Sequence, residues 1–244
     1  MEDDTQPSLR QNLDASPNSI GELRETSLHA SLKQMLSRPG DVLEGAVGRY
    51  IIDIVRGEQL IEIQTGSFTH IRRKLDRLLG QYAVTLVYPI AQEKWIVRLD
   101  ENHSAVSRRK SPRKGRVEDL FYELVRMPKT AVHPGLIVKV LLIQEEVHMV
   151  RGDRGGWRRR GWEIQDRLLL QVLDERVFSS ADDYMKLLGP AEPEVPFTNA
   201  ELAEKLNIRP NLAGKMTYTL RKMGLLDVVG KNGRANLLKV VSGS

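Results

Sequence analysis

Apolar residues in this chain change their spacing repeatedly, and each change marks a new element. Over residues 22–37, Leu28, Leu32 and Leu36 recur every fourth position, which predicts a helix that ends at the "RPGD" turn. Three short segments follow, "DVLEGAV", "RYIIDIV" and "QLIEIQ", separated by "GR" and "RGE"; they predict three strands in a meander. "FTHIRRKLDRLLGQY" returns to helical spacing, with Phe68, Ile71, Leu75, Leu78 and Leu79 on one face. "AVTLVYPIA" is apolar throughout, as a central strand buried on both faces should be, and "KWIVRLD" predicts one more strand. Helix, three strands, helix and two strands make an α/β unit of about 75 residues with a mixed sheet.

Beyond a basic loop, "VEDLFYELVRMP" predicts a helix and "LIVKVLLIQEEVHMV" a long strand. The stretch starting "RLLLQVLDERVF" is compatible with either strand or helix at its start, and "PAEPEVP" has the composition of a linker. "TNAELAEKLNI" then predicts a helix with Thr198 as its N-cap. A second helix, "RPNLAGKMTYTLRKMG", and a hairpin with "GKNGRA" at its tip complete the chain. Two helices across a short turn followed by a hairpin is the winged helix-turn-helix pattern.

Three acids interrupt the meander. If Gly48 and Arg49 form a two-residue turn, Glu44 lies opposite Asp53. If Gly57 and Glu58 form the next, Asp53 lies opposite Glu62; an Arg56-Gly57 turn leaves Glu62 diagonal to it. Both turns put Glu44, Asp53, Glu62 and Gln64 on one sheet face, because side chains alternate with a period of two. Acids gathered there repel one another unless a cation or proton sits among them. Hard oxygen donors, with no cysteine in the chain, select Mg²⁺ or Mn²⁺ over Zn²⁺. Glu25 and His29 lie one turn apart on the apolar side of the first helix. They therefore face the same body, as site groups or as a buried ion pair.

Glu25 in a first helix, Asp53, and then "Glu62-Ile63-Gln64" ahead of a helix and a strand resembles the core of the PD-(D/E)XK nuclease superfamily. That superfamily includes Holliday junction resolvases and restriction endonucleases. The resemblance spans residues 22–99 and implies an α/β fold with a restriction-endonuclease-like mixed sheet flanked by helices, joined here to a C-terminal winged-helix domain. It implies that Glu25, Asp53 and Glu62 hold Mg²⁺ or Mn²⁺ for phosphodiester hydrolysis. Gln64 stands where the family usually has lysine. In some members that lysine has moved to the next helix, so Lys74, at the edge of its apolar face, is the candidate cation and Arg72 the second choice. The catalytic set implied is Asp53, Glu62, Gln64 and Lys74.

Charge adds a polyanion. The chain carries a formal net charge of +5, and its basic residues cluster. Residues 107–116 hold six basic residues and no acid, among them Arg108, Arg109 and Lys110. Residues 151–162 hold five arginines, including Arg158, Arg159 and Arg160, interleaved with Trp157 and Trp162. Cations can neutralise phosphates and indoles can stack on bases. In the second C-terminal helix, Asn211, Lys215, Tyr218, Arg221 and Lys222 fall outside the core stripe; Lys231 and Arg234 lie at the hairpin tip. DNA is the expected partner, with a homodimer left open and no small-molecule cofactor. No run of about 18 apolar residues suggests a membrane span. The acidic start, with no basic and apolar leader, points to the cytoplasm. The expected divisions are a disordered tail (1–21), a nuclease-like domain (22–100), a basic α+β extension (101–189) and a winged helix-turn-helix (190–244). The competing readings are a DNA-binding protein that keeps the fold without catalysis, and an interaction subunit of a repair or defence complex.

Overall fold

The computed structural model describes residues 26–152, 161–189 and 195–241. The expected tail, Glu25, Trp157 and Arg158–Arg160 lie outside them. Helix α1 (Ser27–Leu36) leads into strands β1 (Val42–Val47), β2 (Tyr50–Arg56) and β3 (Gln59–Ile63). The meander turns where the sequence predicts. Val47 pairs with Tyr50 and Arg56 with Gln59, so the turns are Gly48-Arg49 and Gly57-Glu58. Both glycines have positive φ, 58° and 54°, a region that other residues enter at a steric cost.

Helix α2 (Ile71–Leu78) crosses to β4 (Ala83–Leu99), which lies parallel to β3. The two strands expected over 83–100 are one strand of 17 residues. A register shift between Ala91 and Glu93 absorbs the change of pattern that suggested a break. The basic stretch expected as a loop contains β5 (Ala105–Lys110), antiparallel to the far half of β4. The helix expected over 117–128 is a 3-10 turn (Val117–Leu120) and two short helices, α3 (Phe121–Leu124) and α4 (Pro128–Ala131). Pro128 lacks an N–H and is suited only to the first turn, so it starts a new helix.

Strand β6 (Leu136–Arg151) runs parallel to β4, and β7 (Trp162–Phe178) returns antiparallel to β6. That resolves the ambiguous segment as strand. The sheet order is β1-β2-β3-β4-β6-β7, with β5 attached to β4. Helix α5 (Ala181–Met185) follows, then α6 (Asn199–Lys205), α7 (Pro210–Lys222) and a hairpin of β8 (Leu226–Asn232) and β9 (Ala235–Val240). Thr198 caps α6 as expected: its hydroxyl accepts from the Glu201 N–H, and the Glu201 carboxylate accepts from the Thr198 N–H. This is a mixed α/β fold, a mixed sheet flanked by helices.

Two apolar clusters cover the sheet. The smaller joins Leu28 and Leu32 of α1 to Ile54, Ile61, Ile63, Val87, Leu141 and Ile143. The larger joins α2, α3 and the sheet to Leu212, Ala213, Met216 and Leu220 of α7, so the C-terminal helices share one core with the sheet. Arg116 reinforces that junction by donating to the carbonyls of Leu206 and Asn207. Among the described residues no helix is long and apolar enough to cross a membrane.

Candidate active site

The ladder between β2 and β3 stops at the Ile54–Ile61 pair. One step further, Asp53 and Glu62 stand opposite each other by register, but the backbones no longer bond. The Asp53 carboxylate takes over instead, accepting from the Ile63 N–H at 2.7 Å. The strands therefore fork, and two acids stand in the fork. The other Asp53 oxygen lies 3.2 Å from His29 Nε2. Lys74 enters from α2 and closes the fork. Its Nζ lies 2.5 Å from a Glu62 oxygen and donates to the Ile51 carbonyl at 2.5 Å. The amphipathic pattern of α2 explains this reach. Ile71, Leu75 and Leu78 anchor the helix in the core, and Lys74, beside Leu75, projects along the covered edge.

The two carboxylates are driven apart electrostatically. Burial pushes Glu62 up to about 7 and the Asp53 charge pushes the same way; the pull of Lys74 and His29 is outweighed. Burial also acts to raise Asp53. Hydrogen bonds from His29 and the Ile63 N–H, with the charges of His29 and Lys74, outweigh it and hold Asp53 below the usual carboxylate range. At neutral pH Asp53 is ionised while Glu62 shares its population between acid and base. Two adjacent carboxyls held apart in this way can divide proton donor and acceptor roles.

The other members of the expected set are dispersed. Gln64 donates its side-chain amide to the Ser67 carbonyl, shaping the loop after β3. Glu44 adopts φ 51° and pairs with Lys33 at 2.7 Å, so the expected face of acids contracts to Asp53 and Glu62. Arg72 is bound to Asp76 and the Arg126 carbonyl, away from the fork. Among the described residues no group of three or more His, Asp or Glu side chains is arranged to hold a metal ion.

The basic residues divide by strand parity. Arg108 stacks over Trp95 at 3.9 Å and pairs with Glu146, and Lys110 pairs with Glu93. Arg109, between them, points to the opposite face. On α7, Asn211, Tyr218, Arg221 and Lys222 are exposed; Lys215 is half-buried, with its Nζ 5.9 Å from the Tyr122 ring. Lys231 and Arg234 are exposed at the β8–β9 turn. The sequence reading missed a second buried acid: Glu145, fully enclosed, lies 2.8 Å from Lys94 and 2.6 Å from Arg167. Its signal was available, since "LLIQEEV" sets an acid inside an apolar strand just as "LIEIQ" does.

Comparison with known proteins gives a family and one relative. Residues 26–179 match the family model described as "Domain of unknown function (DUF8091)". The matched span runs from the N-cap of α1 to the end of β7, so it includes the fork and the whole large sheet. The chain is similar to an "Uncharacterized protein" of Treponema pallidum (strain Nichols), 29% identical over 222 residues, covering 90% of this chain and 87% of that protein. No solved structure matches.

Proposed function

The chain belongs to the DUF8091 family, and from the site it carries we propose that it is a metal-dependent deoxyribonuclease of the PD-(D/E)XK kind, held on DNA by a C-terminal winged helix. The observation that carries this reading is the fork: Asp53 on β2, Glu62 on β3 and Lys74 on α2 meet where the strands part. The surrounding order agrees with it. Helix α1, the antiparallel β1–β3, helix α2 and a β4 parallel to β3 follow one another in an order compatible with that core. The helix pair α6–α7 and its hairpin, with an exposed polar strip from Asn211 to Lys222, supports the winged-helix assignment.

The donor set suits Mg²⁺ or Mn²⁺. Both groups are hard oxygen donors, and Mg²⁺ is commonly held by one or two carboxylates, with water and substrate phosphate completing its shell. The raised Glu62 is a second sign, because a buried carboxylate shifted upward is one that a cation would stabilise. Asp53 and Glu62 would hold the ion, which when bound supplies an activated water and neutralises phosphate charge. The chain's own groups do the rest. Asp53 stays ionised and is oriented by the Ile63 N–H. The Lys74 ammonium, fixed by the Ile51 carbonyl, is placed to stabilise negative charge developing on a phosphate beside Glu62.

The test is incubation of the protein with plasmid, single-stranded and branched DNA in Mg²⁺ or Mn²⁺ and in chelator. Cleavage that needs the metal and disappears in Asp53→Asn and Glu62→Gln supports the reading. One alternative has its own observation. Lys74 on Glu62 and His29 on Asp53 make an interlocked set, as a protein that binds DNA without cutting it would tolerate. DNA binding without cleavage under either metal would select it.

A further inference from the structure

On one edge of β4 the sheet has a gap. Strand β3 covers that edge only to Val87, and β5 joins it from Trp95 onward. Between them, isolated hydrogen bonds replace the ladder. The Gln64 N–H donates to the Val87 carbonyl, the Gly115 N–H to Ala91 and the Ser111 N–H to Lys94. A cavity of about 1030 Å³ lies against this stretch. It begins one strand step beyond the fork: Leu86 is the partner of Glu62, and Tyr88, two residues further on the same face, lines the cavity.

The lining is strongly cationic. Lys94, Arg98, Arg109, Arg113, Arg167 and Arg209 contribute to it, against Asp119 and Glu123. Lys94 and Arg167 share the single carboxylate of Glu145, so the floor retains positive charge. Arg98, Arg109 and Arg209 have no carboxylate within ion-pair distance among the described residues. These cations come from β4, β5, the segment after β5, β7 and the residue before α7. A single phosphate would be met by convergent groups; cations spread over five segments suit a chain of phosphates. Two half-buried tyrosine rings, Tyr88 and Tyr122, lie among them, while the Trp162 ring is buried, with the Arg98 and Arg151 guanidiniums 4.7 and 5.0 Å from its centre. In a duplex the base faces are already stacked on one another. A recess that offers cations and ring faces together is suited to bases that have left the stack.

We propose that this cavity binds a single-stranded segment of DNA, with Arg98 and Arg109 on the phosphates and Tyr122 beside the bases, and leads it toward the Asp53–Glu62 fork. The inference rests on the nuclease reading for the choice of DNA and for the direction of the strand. Binding itself is independent of cleavage.

The test uses the full chain in chelator, so that nothing is cut. Fluorescence anisotropy is read with a labelled oligothymidylate of about 12 nucleotides, within the range of single-strand grooves, and with a duplex of the same length. Both Arg98 and Arg109 are exposed, so Arg98→Ala/Arg109→Ala should fold, which its melting temperature checks. We expect the double variant to lose about tenfold or more in single-strand affinity. The slope of log K against log salt should flatten by about 0.7 for each lost contact. Duplex affinity should change by less than about twofold, since α7 and the hairpin are untouched. Single-strand binding like that of wild type, or an equal loss for both forms, overturns the proposal. Selective loss in a protein that cuts nothing in Mg²⁺ upholds it and sinks the nuclease reading. Metal-dependent cleavage with unchanged single-strand binding in the double variant does the reverse.

Discussion

Replacing Glu62 by Gln tests the fork through stability, without any assumption about a substrate. Burial raises this carboxyl from an ordinary 4.5 to about 7. Below pH 4.5 the folded and unfolded chains both hold the proton, and the shift has no effect on stability. Between 4.5 and 7 the folded chain holds a proton that the unfolded chain has released, so stability falls as pH rises. Above 7 both forms are ionised and the full cost is present. At about 1.4 kcal/mol per pKa unit, this comes to about 3 kcal/mol lost across the window. Glutamine resembles the protonated acid in shape and cannot titrate, so Glu62→Gln should escape the loss. The difference between variant and wild type should therefore grow in favour of the variant, by about 3 kcal/mol from pH 4.5 to pH 8. For a chain of this size, that corresponds to a melting-temperature gap wider by about 6–12 °C. Because the comparison is between two pH values, any constant cost of the substitution cancels. Denaturant or thermal unfolding of both proteins at several pH values is the assay. Parallel curves, or a gap that grows in favour of wild type, would refute the argument that desolvation outweighs Lys74 at this site.

The same fork supports further outcomes. Mg²⁺ at pH 8 should raise the melting temperature of wild type but not of Asp53→Ala, checked by scanning fluorimetry with and without chelator; equal shifts would place the ion elsewhere. If cleavage is found, Lys74→Ala should lower its rate by roughly 10²–10³, while Arg72→Ala and Gln64→Ala should have mild effects, because neither side chain reaches the fork. Arg167→Ala removes one of two cations from the enclosed Glu145 and should destabilise by about 3 kcal/mol, read by chemical denaturation. Arg221→Ala and Lys231→Ala should each weaken duplex binding and flatten its salt dependence by about 0.9 per lost phosphate contact.

Much of the fork was legible because strand parity is a strict rule. Counting from two-residue turns puts Asp53 and Glu62 on one face and leaves their register open between opposite and diagonal; the Arg56–Gln59 pair selects the Gly57-Glu58 turn and the opposite register. Lys74 was legible for a related reason, since helical spacing puts it beside Leu75 at the covered edge of α2. What could not be counted was the backbone departure at Glu44. Its positive φ breaks the alternation there, and nothing in "LEGAV" announces it beyond the glycine that follows. The continuity of β4 was hidden too. A bulge inserts one residue and shifts the pattern, so one long strand reads as two. The C-terminal segment looked separable because its helices carry their own apolar stripes. Those stripes do not reveal that α7 also packs on α3, a contact across about 90 residues of chain that local pattern does not encode.

The two buried acids show why an acid inside an apolar strand is an incomplete signal. Glu62 and Glu145 sit in nearly identical sequence settings, and both are enclosed. Glu145 meets two cations, Lys94 and Arg167, from neighbouring strands, and is fixed between them. Glu62 meets one, Lys74, and shares its fork with a second acid whose charge opposes its own. A carboxylate held between two cations has its charge balanced from both sides, as a structural anchor should. One with a single cation and an acidic neighbour sits near its midpoint at neutral pH. It retains a capacity for one more positive charge, as a proton or as a metal ion. The sequence marks both positions, but only the count of cations delivered by distant strands and helices separates the anchor from the candidate site.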